Sequence, residues 1–423
     1  FNENGDILDC YIGGGCAGLA CASTLKKNGI DDVVLLEKDD EVGGILNQCI
    51  HNGFGLTTFK EQLSGPAFAE RFADEARALN VEIKTGAMVV SITEDKKVSY
   101  ESQKEGYVTL QADAIILTVG CYERNRGAVQ IDGMRCAGVF TAGQAQRYIN
   151  IEGYMVGKRV FILGSGDIGL IMARRMMLEG AEVLGVAEIM PYSNGLARNI
   201  KQCLEDFNIP LYLSHTITHI YGKDRVEGID VCKVDEHMRP IEDEKMHFDV
   251  DTVLLSIGLI PENHLADSIQ IQMDPKIKGP VVDENFMTSV PGIFAAGNGL
   301  HVHDLADYAA KQGNKAAEGC VRYLKQTSQD NAYVNTNAGN DIGYVVPARL
   351  HQNQLPKIVE MYFRVKKPIK KGTIVIKCGD EVIRSISKEN LVPSEMEIIP
   401  VVTDLILEKK QDVTISVEDV AYA

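Results

Sequence analysis

The chain has 423 residues, of which 45% are hydrophobic and 24% charged, and its formal net charge at pH 7 is −16. This length exceeds what one hydrophobic core supports, so two or three domains are expected. The acidic balance argues against a nucleic-acid partner, and no apolar run approaches the roughly 18 residues of a membrane-spanning helix. Ten cysteines without a C-x-x-C pair are typical of reduced, intracellular thiols.

A strand, a glycine-rich turn and a helix are predicted near the N-terminus. The apolar segment DILDCYI (6–12) leads into Gly13, Gly15 and Gly18, which are spaced as G-x-G-x-x-G before a helical pattern. Glycines at these positions permit a tight turn, close approach of the backbone to a pyrophosphate, and close packing of helix on strand. The next strand, VVLLE, ends at Glu37, where a carboxylate can accept hydrogen bonds from an adenosine ribose.

The same pattern occurs again further along the chain. The predicted strand RVFIL (159–163) precedes Gly164, Gly166 and Gly169, and the strand EVLGVAE ends at Glu188, 24 residues after the first glycine of the set, as in the first copy. One such set is equally well explained as a tight strand-to-helix turn. Two sets with matching acidic residues favour two dinucleotide sites.

Glu188 also bears on the choice of nicotinamide cofactor. A carboxylate at this position would repel the additional phosphate of NADP, so NAD is expected. Arg198 follows ten residues later and could compensate for that repulsion, so the sequence expresses a preference for NAD.

A change of composition marks the C-terminal part of the chain. The polar segment 325–340 is predicted as a linker. The segments after it alternate apolar and polar residues and predict a small antiparallel β domain: EMYFRV (360–365), TIVIKC (373–378), EVIRSIS (381–387) and DVTISVE (412–418). The basic stretch RVKKPIKKG (364–372) is either a solvated face or a docking surface.

Five segments, in this order, resemble the flavoproteins with two dinucleotide-binding domains that are related to glutathione and thioredoxin reductases. They are the first glycine set with Glu37 and EVGG (41–44), AIILTVG (114–120), the second glycine set, LLSIGLIPEN (254–263) and TSVPGIFAAGN (288–298). The resemblance implies bound FAD and NAD. It also implies an α/β fold with two Rossmann-like dinucleotide-binding domains, to which the alternating C-terminal segments add a small antiparallel β domain.

The implied domain arrangement is discontinuous. The FAD-binding domain is expected at residues 1–145 and 262–328, with the NAD-binding domain (146–261) inserted between its two parts. Residues 329–423 would form the β domain, as a candidate docking region for a partner.

Four longer segments resemble one subgroup of these flavoproteins: GGILNQCIHNGFG (43–55), GCYERNRGAVQIDG (120–133), residues 164–192 and GLHVHDLADYAA (299–310). The subgroup contains subunits of opine dehydrogenases, hydrogen cyanide synthase and heterotetrameric sarcosine oxidase, and flavoproteins that accompany an anaerobic glycerol-3-phosphate dehydrogenase. The resemblance implies electron exchange between NAD and a partner dehydrogenase subunit, a small cysteine-rich redox protein, or both, in the cytoplasm.

The resemblance further implies the cofactor-binding residues. For FAD they are Gly13, Gly15, Cys16, Ala17, Gly18, Glu37, Lys38, Gly43, Gly44, Gly120, Gly297 and Asn298. For NAD they are Gly164, Gly166, Asp167, Ile168, Gly169, Glu188 and Gly258. Asn298 stands where the family usually has Asp, and its amide can still bond a ribityl hydroxyl.

Four side chains are candidates for chemistry. Cys49 lies five residues after Gly44, in the segment where the disulfide reductases carry paired cysteines; it is either a redox-active thiolate or a buried, unreactive thiol. His51 is either a base or a core residue. His301 and His303 are expected to bond the flavin edge or to relay protons near neutral pH, and no metal site is expected because a matched third ligand is missing.

Three functions remain open on the sequence. The first is an FAD-dependent oxidoreductase that exchanges hydride with NAD(H) as an electron-transfer subunit of a larger complex. The second is a self-contained thiol or disulfide reductase that uses Cys49. The third is a non-catalytic subunit that binds nucleotides.

Overall fold

The computed structural model describes residues 8–325 and 332–422, which form two compact units. The first unit contains the chain up to Asn47, residues Asn52–Cys121, and the chain from Pro261 onward. The second contains Gln48–His51 and Tyr122–Ile260. No helix in the described ranges is long and apolar enough to cross a membrane.

The N-terminal part of the first unit alternates strands and helices. Its elements are β1 (Leu8–Ile12), α1 (Cys16–Lys27), β2 (Val33–Leu36), β3 (Asn52–Phe54), β4 (Leu63–Ser64), α2 (Gly65–Ala78), β5 (Glu82–Lys84), β6 (Ala87–Ile92), β7 (Lys97–Ser102) and β8 (Gly106–Leu117). The next strand, β9 (Cys121–Glu123), begins at the last residue of this part and continues into the second unit.

The second unit follows the same scheme with an added antiparallel sheet. Its elements are β10 (Asp132–Gly133), β11 (Val139–Thr141), α3 (Ala142–Asn150), β12 (Arg159–Leu163), α4 (Asp167–Leu178), β13 (Glu182–Glu188), α5 (Ala197–Cys203), β14 (Leu211–Leu213), β15 (His215–Gly222), β16 (Val226–Val234), β17 (Pro240–Phe248), β18 (Thr252–Leu255) and β19 (Leu259–Pro261).

The remaining elements belong to the first unit and are mostly strands. They are α6 (His264–Ser268), β20 (Ile293–Ala295), α7 (Ala306–Lys325), β21 (Tyr333–Ala338), β22 (Ile342–Val346), β23 (Arg349–His351), β24 (Ile358–Val365), β25 (Ile369–Cys378), β26 (Glu381–Leu391), β27 (Glu397–Val402), α8 (Asp404–Lys409) and β28 (Val413–Tyr422).

Each unit is built around a parallel sheet. In the first unit the order is β5-β2-β1-β8, with β20 also paired to β8, and β7 and β6 continue the sheet from the long strand β8 as antiparallel strands. In the second unit the order is β11-β18-β12-β13-β14. The predicted strands 159–163 and 182–188 are confirmed as β12 and β13, and all four residues of β2 are buried, as expected for a parallel sheet covered on both faces.

The C-terminal strands form two sheets, β23-β21-β28-β25-β26 and β22-β24-β27, which share one apolar core. The predicted fold class is therefore confirmed. The predicted linker is wrong over residues 333–338, because Val334 and Thr336 of β21 are buried while the strand pairs with β23 and β28. The expected boundary at residue 329 lies outside the described residues.

A buried acidic cluster joins the segment before β20 to strand β23. Asp283 is fully buried; its Oδ1 accepts the backbone N–H groups of Asn285 (2.8 Å) and Met287 (3.1 Å). Its Oδ2 has no hydrogen-bond partner among the described residues and lies 3.9 Å from His351 Nδ1, which lies 2.7 Å from Glu284 Oε1. Burial, reinforced by the Glu284 charge, raises the pKa of Asp283 to about 7.

This raised pKa predicts a pH-dependent stability that Asp283→Asn removes. Because folded Asp283 keeps its proton while the unfolded carboxyl loses it above its usual pKa of 3.8, stability is present at low pH and is lost as pH rises to about 7. We expect the wild type to lose on the order of a few kcal/mol between pH 4.5 and 7.5 from this group, and D283N to lose less.

The measurement is the thermal unfolding midpoint across that pH range. Near pH 4.5 the neutral carboxylic acid and the amide should give similar midpoints, which serves as the internal control. Parallel pH profiles for the two proteins would contradict the assignment of the effect to Asp283.

Candidate functional site

The first glycine loop connects β1 to α1. Gly13 has φ +110°, and a Cβ on it would lie 2.4 Å from the carbonyl oxygen of Thr118; a Cβ on Gly18 would lie 1.9 Å from the carbonyl oxygen of Gly13. Gly15 differs, since it has φ −72° and a Cβ on it would meet no atom within 4 Å. The fold therefore explains Gly13 and Gly18, whereas the clear space at Gly15 suits the close approach of a ligand.

Helix α1 begins directly behind this loop with Cys16 and Ala17. The N-cap position is Gly15, and no side-chain cap is present among the described residues. The first backbone N–H groups of the helix therefore lack partners within it and suit an anionic group. The Cys16 thiol donates to the carbonyl oxygen of Ala306 (3.7 Å), and burial raises its pKa to about 12. The thiol is therefore protonated at neutral pH, and only the backbone of Cys16 is available to an anionic ligand.

Glu37 ties the end of β2 to the same loop. Its Oε2 accepts the backbone N–H of Gly14 (2.7 Å), its Oε1 accepts that of Asp39 (2.9 Å), and the residue is 5% exposed. Each carboxylate oxygen keeps lone pairs beyond these bonds, which a ribose hydroxyl can use. Lys38 is solvent-exposed and pairs with Asp39 (3.0 Å).

The glycine pair after β2 packs against the first loop. The Gly43 N–H donates to the Gly14 carbonyl (2.8 Å), and a Cβ on Gly44 would lie 3.5 Å from Gly15 Cα. Both glycines have positive φ, +115° and +55°. The pair therefore forms a second backbone segment beside the clear space at Gly15.

The second glycine loop, between β12 and α4, repeats this construction in the second unit. Gly164 has φ +96°, and a Cβ on it would lie 2.0 Å from the Ser256 carbonyl oxygen; a Cβ on Gly169 would lie 2.6 Å from Ser256 Cβ. A Cβ on Gly166 would lie 3.2 Å from Ser256 Oγ, so the middle glycine has less space than in the first loop. Gly166 is also the N-cap residue of α4, which has no side-chain cap within the described chain.

Glu188 occupies the same place in this copy as Glu37 in the first. Its Oε2 accepts the N–H (3.0 Å) and the hydroxyl (2.7 Å) of Ser165, and its Oε1 accepts the Met190 N–H (3.0 Å). The residue is 4% exposed. Each carboxylate accepts the N–H of the residue that follows the first glycine of its loop, and the N–H of the residue two positions after the carboxylate itself. The two loops are therefore structural copies of each other.

Asp167 and Ile168 begin helix α4. Asp167 Oδ1 accepts the Leu196 N–H (2.9 Å) and the Asn199 side-chain amide (2.7 Å), so it fixes the segment that leads into α5. Ile168 is half-buried and packs against the core of this unit. The geometry gives Asp167 a positioning role within the protein.

A further shared feature is the turn after each central strand, Thr118-Val-Gly120 and Ser256-Ile-Gly258. Gly120 has φ +77° with nothing within 4 Å of a Cβ, and Gly258 has φ +102° with only Arg124 at 3.8 Å. Thr118 and Ser256, which press against the first glycine of each loop, were missed by the sequence analysis. The repeated Ser/Thr-x-Gly spacing is the signal that could have identified them.

Gly297 and Asn298 lie at the start of the segment between β20 and α7. Gly297 has φ +68°; its N–H donates to Gln312 Oε1 (2.8 Å), and a Cβ on it would lie 2.9 Å from Ala17 Cβ. Asn298 Oδ1 accepts the His303 N–H (2.9 Å). The structure thus brings this segment to the first turn of α1, within the first unit.

His301 and His303 lie together in that segment, with ring centroids 4.5 Å apart. His301 is 1% and His303 9% exposed. Burial lowers the pKa of both, and for His303 to about 3, so the expectation of imidazoles that titrate near neutral pH is wrong. Gln312, Tyr344 and Arg364, which surround the pair, were not predicted, because distant elements supply them and no local motif marks them.

Cys49 and His51 belong to the short stretch that clusters with the second unit. Gln48 donates to the Gly143 carbonyl (2.8 Å), and the Cys49 thiol donates to Gln146 Oε1 (3.6 Å). Burial raises the pKa of Cys49 to about 12, while His51 is half-buried. In the described part of the chain no three His, Cys, Asp or Glu side chains are grouped as a metal site.

Comparison with known proteins identifies relatives of this arrangement. Residues 10–313 match the sequence model of the pyridine nucleotide-disulphide oxidoreductase family. The chain is 28% identical over 357 residues to the glutamate synthase (NADPH) small chain of Escherichia coli strain K12, which covers 74% of this chain and 68% of that protein. It is 27% identical over 312 residues to an NADH oxidase of Methanocaldococcus jannaschii, covering 69% of this chain and 63% of that protein.

Two solved structures share the fold. Thioredoxin reductase of T. acidophilum superimposes with a TM-score of 0.61 at 24% identity, covering 76% of this chain and 100% of that one. An NAD-dependent persulfide reductase from A. fulgidus superimposes with a TM-score of 0.57 at 18% identity, covering 88% of this chain and 68% of that one.

The two kinds of glycine in the first loop give a matched pair of variants. Gly15→Ala should leave the unfolding midpoint nearly unchanged, because the added Cβ meets no atom, yet lower the affinity for FAD roughly tenfold or more by blocking the backbone approach. Gly13→Ala should lower the unfolding midpoint, since positive φ alone costs about 1–3 kcal/mol for a side chain. FAD titration and thermal unfolding of both variants provide the measurement.

The comparison separates a ligand site from a simple turn. If the loop were only a tight connection, G15A would bind FAD as tightly as the wild type. That result would remove Gly15 from the binding site.

Proposed function

This chain belongs to the pyridine nucleotide-disulphide oxidoreductase family, and on that premise we propose that it exchanges hydride between NAD(H) and bound FAD as an electron-transfer subunit of a larger dehydrogenase. The family uses FAD and NAD(P)H, and the chain is an NAD(P)H-linked flavoprotein oxidoreductase. The proposal adds which loop holds which dinucleotide, the preference for NAD, and the partner.

The doubled loop carries this proposal. Each unit presents a glycine turn, an uncapped helix start and a strand-end carboxylate bonded to its own loop, which together suit one dinucleotide. Two such copies support two dinucleotide sites better than two unrelated turns would. We assign residues 1–145 and 262–328 to FAD, residues 146–261 to NAD, and residues 329–423 to a C-terminal β domain.

FAD is assigned to the first loop because a second segment, which begins at Gly297, packs beside it. The turn at Gly297 meets the first turn of α1 at Ala17, and Asn298 follows it with a side-chain amide. FAD carries a ribityl chain with hydroxyl groups that NAD lacks, so the longer site with an added amide suits it. Gly43, Gly44 and Gly120 supply backbone on the remaining sides.

The acidic residue of the second loop favours NAD over NADP. The Glu188 carboxylate is buried and bonded to Ser165 and Met190, so it is fixed in position near the place of an adenosine ribose. An extra phosphate there would be repelled. Arg198, the residue that could offset this repulsion, is solvent-exposed.

The chain's own contribution to the reaction is binding and orientation. When bound, FAD supplies a ring that takes a hydride from NADH and passes the two electrons on. The two glycine loops would fix the phosphates, and Glu37 and Glu188 would fix the ribose ends, so that each dinucleotide is held in a defined orientation on its own unit.

The partner follows from the resemblance and from a relative. The segments 43–55 and 299–310 support the subgroup of opine dehydrogenase, hydrogen cyanide synthase and sarcosine oxidase subunits and the flavoproteins of anaerobic glycerol-3-phosphate dehydrogenase. The E. coli relative is itself called a small chain, which supports a role as one subunit among several. We therefore propose a partner dehydrogenase subunit, a small cysteine-rich redox protein, or both, in the cytoplasm.

An anaerobic titration tests the hydride step and the choice of nucleotide. NADH should bleach the FAD absorbance of the holoprotein fully, and NADPH should do so only at higher concentration. Glu188→Gln should reduce the preference for NADH roughly tenfold, because a carboxylate–phosphate repulsion is on the order of 1–4 kcal/mol. An FAD-loaded protein that neither nucleotide bleaches would contradict the proposal.

The thiol-reductase alternative is tested by Cys49→Ser. The thiol has a pKa of about 12 because it is buried, so almost none of it is nucleophilic thiolate at neutral pH. The variant should therefore bleach with NADH within about twofold of the wild-type rate. Cys203→Ser, which removes a buried thiol of the second unit, is the control.

The alternative has a distinct signature. Loss of NADH-dependent reduction of a disulfide substrate in C49S, but not in C203S, would establish Cys49 as the reactive group and overturn its assignment as a buried thiol.

A further inference from the structure

A hydrogen-bond chain leads from the turn at Gly297 to His301. The Gly297 N–H donates to Gln312 Oε1 (2.8 Å), which identifies that atom as the amide oxygen, and Gln312 Nε2 lies 2.7 Å from His301 Nε2. Because the amide nitrogen can only donate, His301 Nε2 must accept. The proton of the neutral ring is therefore on Nδ1, which faces the Tyr344 hydroxyl at 3.5 Å.

The same reasoning fixes the tautomer of His303. Asn298 Oδ1 accepts the backbone N–H of His303 (2.9 Å), so it is the amide oxygen, and His303 Nδ1 lies 3.3 Å from it. Nδ1 must carry the proton, since an amide oxygen only accepts. Nε2 of the neutral ring then carries no proton and can act only as a hydrogen-bond acceptor, through its lone pair.

This lone pair is buried and lacks a partner. His303 is 9% exposed, and its Nε2 has no hydrogen-bond partner within the described residues. The ring stays neutral because burial, followed by the charge of Arg364, lowers its pKa to about 3. Buried polar atoms are rarely left unbonded in native proteins, so this atom calls for a donor other than the described residues.

The C-terminal strands hold the two imidazoles in place. Arg364 of β24 donates to the Val302 carbonyl (3.0 Å) and pairs with Asp304, whose other oxygen accepts the Met396 N–H (2.6 Å). The rings of Tyr344 and Tyr362 lie 5.9 and 5.6 Å from the His301 ring and meet it at nearly right angles. The β region thus forms the back wall of the segment that follows Asn298.

We propose that His303 Nε2 accepts a hydrogen bond from an O–H or N–H group of the bound FAD, and that Arg364 and Tyr344 are positioning residues that make the C-terminal β region part of the flavin site. The proposal rests on the assignment of FAD to the first unit. Oxidised FAD offers suitable donors in its ribityl hydroxyls and its one ring N–H. Because His303 Nε2 is an acceptor, it can bond these donors but not the acceptor atoms along the rest of the flavin ring edge.

A pair of substitutions at one position tests the lone pair. His303→Leu removes it, and His303→Gln keeps an acceptor in the side-chain amide oxygen. H303L should weaken FAD binding to the full-length chain roughly tenfold, and H303Q should recover most of that loss. FAD affinity is measured by flavin fluorescence without NADH, with the exposed His237→Leu as control.

The outcomes separate this proposal from the proposed function. Equal FAD affinity for H303L and the wild type would mean that water satisfies the lone pair, and would overturn the inference. Weaker binding by H303L in a protein that NADH does not bleach would support the inference and contradict the hydride step. A chain that binds no FAD at all would overturn both.

A measurement on the unaltered protein guards against misfolding of the variants. In the FAD-loaded wild type with ¹⁵N-labelled histidine, the His303 ring should show a proton on Nδ1 and none on Nε2 from pH 5 to 9. A proton on Nε2, or titration within that range, would overturn the inference. Arg364→Met removes the bonds to Val302 and Asp304 and should weaken this tautomer preference by loosening the contact between His303 and Asn298. An unchanged ring signal in R364M would show that Arg364 does not position the ring.

Discussion

The close contact between a strand-end carbonyl and the first glycine of each loop is the constraint on which the rest of the structure depends. Thr118 and Ser256 lie so close to Gly13 and Gly164 that only a residue without a side chain fits. That contact sets the turn, and the turn directs the following backbone N–H groups toward open space at the start of a helix. The strand-end carboxylate then accepts a hydrogen bond from the turn on its other side, so one local arrangement positions the backbone donors and the carboxylate together.

The sequence predicted what is local and missed what is assembled from distant segments. The glycine spacings and the two acidic residues lie within single βαβ units, where backbone geometry restricts the residue types, and strands β12 and β13 were predicted residue for residue. The polar stretch 333–338 was mistaken for a linker because its few apolar side chains are buried only through pairing with β28, which lies some 75 residues away. The environment of His301 and His303 was missed for the same reason. Both rings stay neutral because they are buried and lie near the charge of Arg364, and strand β24, which carries Arg364, is far from both histidines in the sequence.

The C-terminal strands contribute more to the first unit than a surface for a partner. Tyr362 and Met396 belong to the same apolar cluster as the parallel sheet, and the Asp283–His351–Glu284 group joins the two regions through buried titratable side chains. Buried ionic contacts of this kind cost desolvation and add specificity of position more than stability. Such costly groups are concentrated where the β region meets the segments before β20 and after Asn298, which indicates that their relative placement matters for the site.

The two loops are alike in their carboxylates and differ in what surrounds them, and that difference has to decide which dinucleotide each one takes. Glu37 and Glu188 have equivalent backbone partners, so the acidic residue alone cannot distinguish FAD from NAD. In the first unit the glycine pair at 43–44 and the turn at Gly297 surround the loop with backbone and small residues, which leaves room for a long ligand. In the second unit the segment before α5 is bonded onto the loop through Asp167 and Ser165, and Gly195 is so close to Leu170 and the Ser165 carbonyl that a side chain would not fit. That cover reduces the space beside Glu188, where an additional phosphate would need both volume and a cation. Any selection between NAD and NADP at this loop would therefore depend on steric cover as well as charge, and the motif alone does not encode the cover.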